Sequence, residues 1–165
     1  MRKLFVLILV LGLASAANAV FIQVNGQVGD SFEVQENATI TVVGEDTSSW
    51  LGYIVVEDGS GGVLSGAIAL DAAGNLANFS PYSEAGWGTG YELTVSMGPG
   101  GVPAIAVGPQ FSMAFTGAVG GTARISLFLD PEFTVPVATV LLSIVPEPMT
   151  VLLLGLGGLF LRRRK

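Results

Sequence analysis

The sequence predicts an all-β protein: a two-sheet antiparallel β-sandwich of about eight or nine strands, with an N-terminal signal helix and a C-terminal transmembrane helix. Three observations lead to this prediction. Apolar and polar residues alternate through the middle of the chain, glycine-rich turns recur at short intervals, and both ends carry apolar runs beside basic residues. We therefore divide the chain into a signal peptide at 1–19, an ectodomain at 20–145 and a C-terminal tail at 146–165.

Period-two alternation identifies the strands of the ectodomain. Phe111, Met113 and Phe115, for example, are separated by Ser112 and Ala114, as in a strand with one buried face. The pattern predicts strands near 21–24, 31–35, 38–43, 51–57, 63–70, 90–97, 110–116, 122–129 and 137–144. Short strands with frequent turns are typical of a sandwich. Two longer loops, 71–89 and 98–109, are where we expect binding residues.

The N-terminus has the three parts of a secretory signal peptide. Arg2 and Lys3 precede an apolar run at 4–13, and a small-residue site with Ala17 and Ala19 follows it. This order predicts export and cleavage after Ala19. The alternative is an uncleaved N-terminal anchor.

Charge is distributed unevenly along the chain. The range 20–145 contains 12 acidic residues and a single basic one, Arg124, which gives a net charge of −11. Such a surface repels phosphate backbones, so we expect no nucleic-acid partner.

The chain contains neither histidine nor cysteine. Their absence excludes Ser-His-Asp and Cys-His catalysis, the usual zinc sites and disulfides. We therefore predict a protein that is not an enzyme, with no catalytic residues, no metal site and no cofactor.

Two segments of the ectodomain resemble cohesin-like β-sandwich modules. They are Val28-Gly29-Asp30-Ser31-Phe32-Glu33-Val34, a turn that leads into a core strand, and Trp50-Leu51-Gly52-Tyr53-Ile54, an aromatic strand start. The resemblance covers about a third of the domain and implies a sandwich fold. It does not imply dockerin binding.

The tail combines a Pro-Glu-Pro motif, an apolar run and a basic cluster. The motif is Pro146, Glu147 and Pro148, and the run from Met149 to Leu161 has 13 residues. As a helix the run is about 20 Å long, whereas a bilayer core needs about 20 residues, so it is short for a permanent anchor. The cluster at the end of the chain consists of Arg162, Arg163, Arg164 and Lys165.

This tail resembles the PEP-CTERM sorting signal of bacterial exported proteins. The resemblance implies that Pro146, Glu147 and Pro148 are read by an exosortase, after export through the secretion translocon. The helix would be a transient membrane anchor that leaves the domain outside the inner membrane. The mature protein would then reach the cell surface, or an extracellular biofilm or exopolysaccharide matrix. The alternative is a plain membrane anchor with a fortuitous Pro-Glu-Pro.

Two acidic turns contain oxygen ligands that could hold calcium, at 58–62 and 71–75. Neither matches an EF-hand loop or a repeated calcium motif, so we interpret both as hairpin turns and leave calcium as the less favoured alternative.

Aromatic residues are candidates for contact with a glycan, because each offers a flat apolar face and a polar group. Tyr82 and Trp87 are the candidates, since both lie in the predicted loop 71–89. Trp50 and Tyr53 are assigned to the core. A pair of carboxylates such as Glu84 with Glu92 or Asp71 is the alternative on which a small surface hydrolase would depend.

The sequence thus predicts an exported structural or adhesive protein of the cell surface or extracellular matrix. A carbohydrate-binding module that uses loop aromatics is the first alternative, and a small surface hydrolase is the second.

Overall fold

A computed structural model describes residues 20–45, 49–70, 77–96, 107–130 and 132–147, and within them the chain forms eleven strands. In chain order these are β1 (Val20–Val24), β2 (Gln27–Val28), β3 (Ser31–Val34), β4 (Asn37–Gly44), β5 (Trp50–Val56), β6 (Val63–Ala69), β7 (Ala77–Glu84), β8 (Gly88–Val95), β9 (Gly108–Thr116), β10 (Thr122–Phe128) and β11 (Ala138–Ile144). The described ranges contain no helix that could cross a membrane. The predicted signal helix and transmembrane helix lie outside these ranges.

The strands form two sheets, which confirms the predicted all-β, two-sheet architecture. The five-stranded sheet has the order β2-β1-β4-β9-β6, and the six-stranded sheet has the order β3-β11-β10-β5-β8-β7. One pairing corrects the antiparallel prediction, because β3 and β11 run parallel, with Ser31 opposite Leu141. The reason is that the chain changes sheets between Val34 and Asn37. As a result, β3 pairs with the last strand rather than with β4, its neighbour in sequence.

All nine predicted strands are present, but the predicted number is too low by two. β2 is a two-residue strand at a sheet edge, too short to show a period. The larger correction concerns β7, which lies inside the segment 71–89 that the sequence predicts to be a loop. β7 forms the edge of the six-stranded sheet and most of its residues are at least partly exposed, so it lacks the apolar alternation of a strand with one buried face. Pro81 also marks it as an edge strand, where a missing N–H does not interrupt the ladder.

The main core lies between the two sheets and follows the predicted alternation. Ile40 and Val42 of β4 and Phe111 and Phe115 of β9 are fully buried, and they face the six-stranded sheet. From that sheet Ile54, Ile125, Leu127, Leu93 and Leu142 point inwards. Each large apolar side chain buried in this way contributes about 1.5–3 kcal/mol relative to an exposed one, so this interface stabilises the sandwich substantially.

Trp50 and Tyr53 lie on opposite faces of β5. Trp50 packs against the main core, with its ring edge-on to Phe111 at a centroid distance of 5.8 Å, as predicted. Tyr53 belongs instead to a second apolar cluster on the outer face of the sheet, which corrects its assignment to the core. The two residues are three positions apart, and successive side chains of a strand alternate between its faces.

Candidate functional site

The outer face of the six-stranded sheet carries aromatic residues where a sandwich usually presents polar ones. On β5 and β10 the inward residues are core, so Tyr53, Val55 and Phe128 project outwards. The register places Phe128 directly opposite Tyr53 and leaves Val55 fully buried beneath the cluster.

Phe133 is the centre of this cluster and comes from the loop after β10. Its ring centroid lies 5.0 Å from those of Tyr53 and Phe128, 5.3 Å from that of Trp87 and 5.5 Å from that of Tyr82. The ring is nearly parallel to those of Tyr82 and Trp87, at 23° and 26°. We call these five residues (Tyr53, Tyr82, Trp87, Phe128 and Phe133) the aromatic cluster.

Asp130 fixes the turn that presents Phe133. Its carboxylate accepts hydrogen bonds from the backbone N–H and the hydroxyl of Thr134, both at 3.0 Å. The pKa of Asp130 lies below its usual value, mainly because the carboxylate accepts this hydrogen bond from the N–H of Thr134. Phe133 itself has a φ of 52°, in the left-handed region that residues other than glycine rarely adopt. The turn therefore has to be held by its own hydrogen bonds and by the packing of the Phe133 ring.

The β7–β8 turn presents Trp87 to the cluster. Trp87 donates its backbone N–H to the carbonyl of Glu84 at 3.2 Å, and Gly86 donates its backbone N–H to the carboxylate of Asp58 at 2.7 Å. Gly88 follows with a φ of 128°, and a Cβ at that position would lie 1.9 Å from the carbonyl oxygen of Val56. Only glycine fits there, so the backbone approaches β5 closely enough for Trp87 to reach Phe133.

A group of polar side chains adjoins the aromatic cluster. Ser126 donates its hydroxyl hydrogen to Glu57 at 2.6 Å, and Arg124 lies 3.8 Å from the other oxygen of the same carboxylate. The Arg124 side chain is 56% exposed and the Glu57 side chain 31%, so both keep polar atoms available to solvent. Arg124 is also the single basic residue between Lys3 and Arg162.

A half-open cavity of about 300 Å³ lies where these two groups meet. Its lining combines the rings of Trp87, Phe128 and Phe133 with the charged groups of Glu57, Asp58 and Arg124. We call this cavity the aromatic cleft. Its volume is at the lower end of the range for small-molecule sites, and its lining, which mixes rings and charged groups in similar measure, is more polar than is usual for them.

The structure brings the two predicted glycan contacts together on Phe133, although only Trp87 lines the cleft. Trp87 is 38% exposed. Tyr82 lies on β7 and not in a loop, and it donates its hydroxyl hydrogen to Glu84.

Partial burial, followed by this hydrogen bond and the charge of Glu84, raises the pKa of Tyr82 to about 12. Burial, together with the charges of Glu92 and Glu84, also raises the pKa of Tyr53. Both phenols are therefore neutral hydrogen-bond donors at physiological pH.

The other predicted sites have varied positions. In the turn 58–62, the Asp58 carboxylate accepts a hydrogen bond from the N–H of Gly86, and the Ser60 hydroxyl accepts one from the N–H of Arg124 at 3.1 Å. Both side chains therefore bind backbone groups of the protein. The described ranges contain no cluster of three or more residues suited to hold a metal. Glu92 is opposite Ser80, four residues from Glu84 along β7, which is about 13 Å of strand. Asp71 and the turn 71–75 lie outside the described residues.

Part of the sorting tail falls within the structure. Val145 donates its N–H to the carbonyl of Val34 at 2.8 Å, and the exposed Pro146 and Glu147 follow it directly. Pro148, the basic cluster (Arg162, Arg163, Arg164 and Lys165) and the cleavage-site residues Ala17 and Ala19 lie outside the described residues.

Sequence reasoning did not identify Glu57, Arg124, Phe128, Asp130 or Phe133 as parts of a site. The strand alternation was a usable signal for Phe128, which follows the inward-facing Leu127 and must point outwards. For Phe133 the sequence offers only the Asp130-Pro131 turn signal, which does not specify the direction of a ring three residues after Asp130.

Comparison with known proteins gives structural similarity and no family. No protein-family model and no curated protein matches the chain. Among solved structures it is similar to the sixth cohesin of scaffoldin B from Acetivibrio cellulolyticus, solved in complex with a Cel5 dockerin (14% identity, 77% of this chain and 98% of that one, TM-score 0.48). It is also similar to a cohesin module of a family 33 glycoside hydrolase from Clostridium perfringens (12% identity, 79% of this chain and 100% of that one, TM-score 0.49). A third similar structure is CaCohA2 from Clostridium acetobutylicum (12% identity, 77% of this chain and 91% of that one, TM-score 0.48).

These structures belong to the class of sandwich module that the sequence resembles. At identities of 12–14% and TM-scores below 0.5, the similarity does not extend to function. The assignment of a two-sheet sandwich therefore stands on the strand pairing of this chain itself.

Proposed function

We propose that this chain is an exported, non-enzymatic adhesive protein of the cell surface or extracellular matrix, delivered there through its sorting tail. The adhesive role is supported by the aromatic cleft, a half-open cavity with an aromatic wall on the outer face of the six-stranded sheet. The indole of Trp87 lines this cavity and is 38% exposed, so an aromatic surface on the outer face is available to a partner.

The charge of the ectodomain is in keeping with an exported, soluble product. The range 20–145 has a net charge of −11, and the tail carries four basic residues at its end. Removal of the tail would leave a strongly acidic domain, and mutual repulsion keeps such a domain dispersed at high concentration.

The proposed processing requires the Pro-Glu-Pro motif to be accessible to a membrane protease. Two prolines keep a segment extended and exclude it from a helix or a central strand. The hydrogen bond of Val145 to Val34 is followed at once by exposed residues, so the motif begins where the sandwich ends.

The sorting part of the proposal is tested by mass spectrometry of the surface form. We expect co-expression with the cognate exosortase to shorten the chain within or close to 146–148, and Glu147→Ala to reduce this shortening. An unchanged mass that still includes the tail would contradict sorting by an exosortase.

The adhesive part is tested by fractionation of the producing cells. We expect most of the protein to remain with washed cells and their extracellular matrix, and the wash to contain little of it. Recovery of the whole protein in the wash, in physiological salt, would contradict an adhesive role.

A further inference from the structure

The aromatic cleft differs in composition from the rest of the ectodomain surface. Its lining includes Arg124, the single base of the range 20–145, together with Glu57 and Asp58. These three side chains sum to a charge of −1, and the whole range carries −11. An anionic ligand would therefore meet repulsion from the domain and from the cleft, in spite of Arg124.

The polar groups of the cleft suit a ligand with several hydroxyl groups. Glu57 and Asp58 offer carboxylate acceptors, and Arg124 offers guanidinium donors. At 3.8 Å the ion pair between Arg124 and Glu57 is loose and part-exposed, so neither group is fully committed to the other. Adjacent hydroxyls, each able to donate and to accept, match such alternating donors and acceptors.

The aromatic wall suits a ligand with a flat apolar face. Trp87 stacks on Phe133 and meets Phe128 edge-on, at 77° and a centroid distance of 5.8 Å, so its indole is held in one orientation. The backbone on either side of Trp87 is fixed as well, through Gly86 and the N–H of Asp58, which donates to the carbonyl of Trp87 at 3.3 Å. A rigid aromatic surface loses little conformational entropy when a ligand stacks on it.

From these three properties we propose that the aromatic cleft binds a neutral pyranose unit of a polysaccharide. The sugar's C–H face packs on Trp87, and its hydroxyls bond to Glu57, Asp58 and Arg124. A volume of about 300 Å³ accommodates one ring and leaves the chain on either side in solvent. This inference rests on the proposed adhesive function and names the chemistry by which the protein would adhere.

The test measures retention of the full-length protein on immobilised polysaccharides, in a detergent without a sugar head group. The probes are dextran, mannan and galactan as neutral chains and polygalacturonate as the anionic chain. We expect retention on at least one neutral chain and none on polygalacturonate. Trp87→Ala should lower the association constant by about tenfold, which corresponds to the loss of one aromatic stacking contact.

Arg124→Gln is the second variant. Its side chain is 56% exposed and its ion pair with Glu57 is loose, so we expect the variant to fold and to bind several-fold more weakly. Leu141→Ala is the matched control: it shortens an exposed apolar side chain on β11 of the same sheet and should leave retention unchanged. Urea unfolding of each variant shows that the chain is folded.

Three outcomes would overturn the inference. They are absence of retention on all three neutral chains, unchanged retention of both Trp87→Ala and Arg124→Gln, and preference for polygalacturonate. In each case the adhesive function is judged separately: wild type that stays with the washed matrix contradicts only the sugar site, whereas wild type lost to the wash contradicts the adhesive role itself.

Discussion

The indole N–H of Trp50 donates a hydrogen bond to the side-chain oxygen of Gln110 at 3.0 Å, inside the sandwich. Gln110 is completely buried, and its Nε2 has no hydrogen-bond partner within the described ranges. Gly44 makes room for this amide, because a Cβ on Gly44 would lie 2.3 Å from Nε2. The ladder between β4 and β9 shifts register between Val42 and Val43, just before this point.

Gly44→Ala should therefore destabilise the fold. The added methyl group must displace a buried amide that is held by Trp50, and overpacking of this kind costs about 1–3 kcal/mol. Urea denaturation measures the free energy of unfolding. Gly61→Ala is the control, since its Cβ would meet only the carbonyl oxygen of Thr122 at an ordinary 3.5 Å. Equal stability of the two variants would show that Gln110 moves freely.

Phe133→Ala should remove the centre of the aromatic cluster. Phe133 is 3% exposed and contacts four other rings, so its loss should reduce the free energy of unfolding by about 3 kcal/mol. Val135→Ala, in the same loop but 67% exposed, should change it by less than about 0.5 kcal/mol. A small effect of Phe133→Ala would mean that the cluster adds nothing to the stability of the sandwich.

Acid should loosen the turn that carries Phe133. The pKa of Asp130 is lower in the folded state, mainly because of the N–H of Thr134, so the unfolded chain binds the proton more readily. The stabilisation is present above the usual aspartate pKa of about 3.9 and is lost as the pH falls from there through the lower folded-state value. Melting temperatures measured from pH 6 to pH 2 should show this loss.

Asp130→Asn is the comparison for the acid experiment. Its amide cannot titrate, so the variant should lose less melting temperature than wild type does over that range. Parallel curves for the two proteins would contradict the role given to Asp130.

Tyr82 should ionise late in an alkaline titration. Burial, with the hydrogen bond to Glu84, raises its pKa to about 12, so the phenolate absorbance should continue to increase well above pH 10. The stabilisation that comes from the neutral phenol is complete below about pH 10 and is lost as the pH rises towards 12. Glu84→Gln removes one cause of the shift and should lower the midpoint of this late ionisation.

Glu33→Gln, on β3 at the opposite edge of the same sheet, is the control for this titration and should leave the late phase unchanged. A wild-type titration that is complete by pH 10.5 would contradict the raised pKa of Tyr82.

The sandwich was predictable because its strands are buried on one face. β9 and β10 carry period-two patterns that the core preserves residue by residue, from Phe111 to Phe115 and from Ala123 to Leu127. β7 was not predicted for the opposite reason. As an edge strand it buries few side chains, so its sequence lacks a sustained alternation of apolar and polar residues.

The candidate site was only half predictable. Tyr82 and Trp87 were selected as aromatic residues of the predicted loop 71–89, and the structure brings both onto Phe133, although Tyr82 lies on a strand. Tyr53 was assigned to the core and lies on the outer face, although strand parity held the answer: it is three residues from the inward-facing Trp50 on one strand. Phe133 was not predictable, because its place depends on a left-handed backbone conformation and on tertiary contacts that a single sequence does not show.

The parallel pairing of β3 with β11 has a mechanical consequence. β11 lies between β3 and β10, and its C-terminal end leads directly to Pro146. A force that pulls on the residues after Ile144 along the axis of β11 loads hydrogen bonds that run across that axis to β10 and at a slant to β3. The strand must therefore slide past two partners at once and cannot peel away one bond at a time. A domain held by this end would resist shear best along the direction in which its tether pulls.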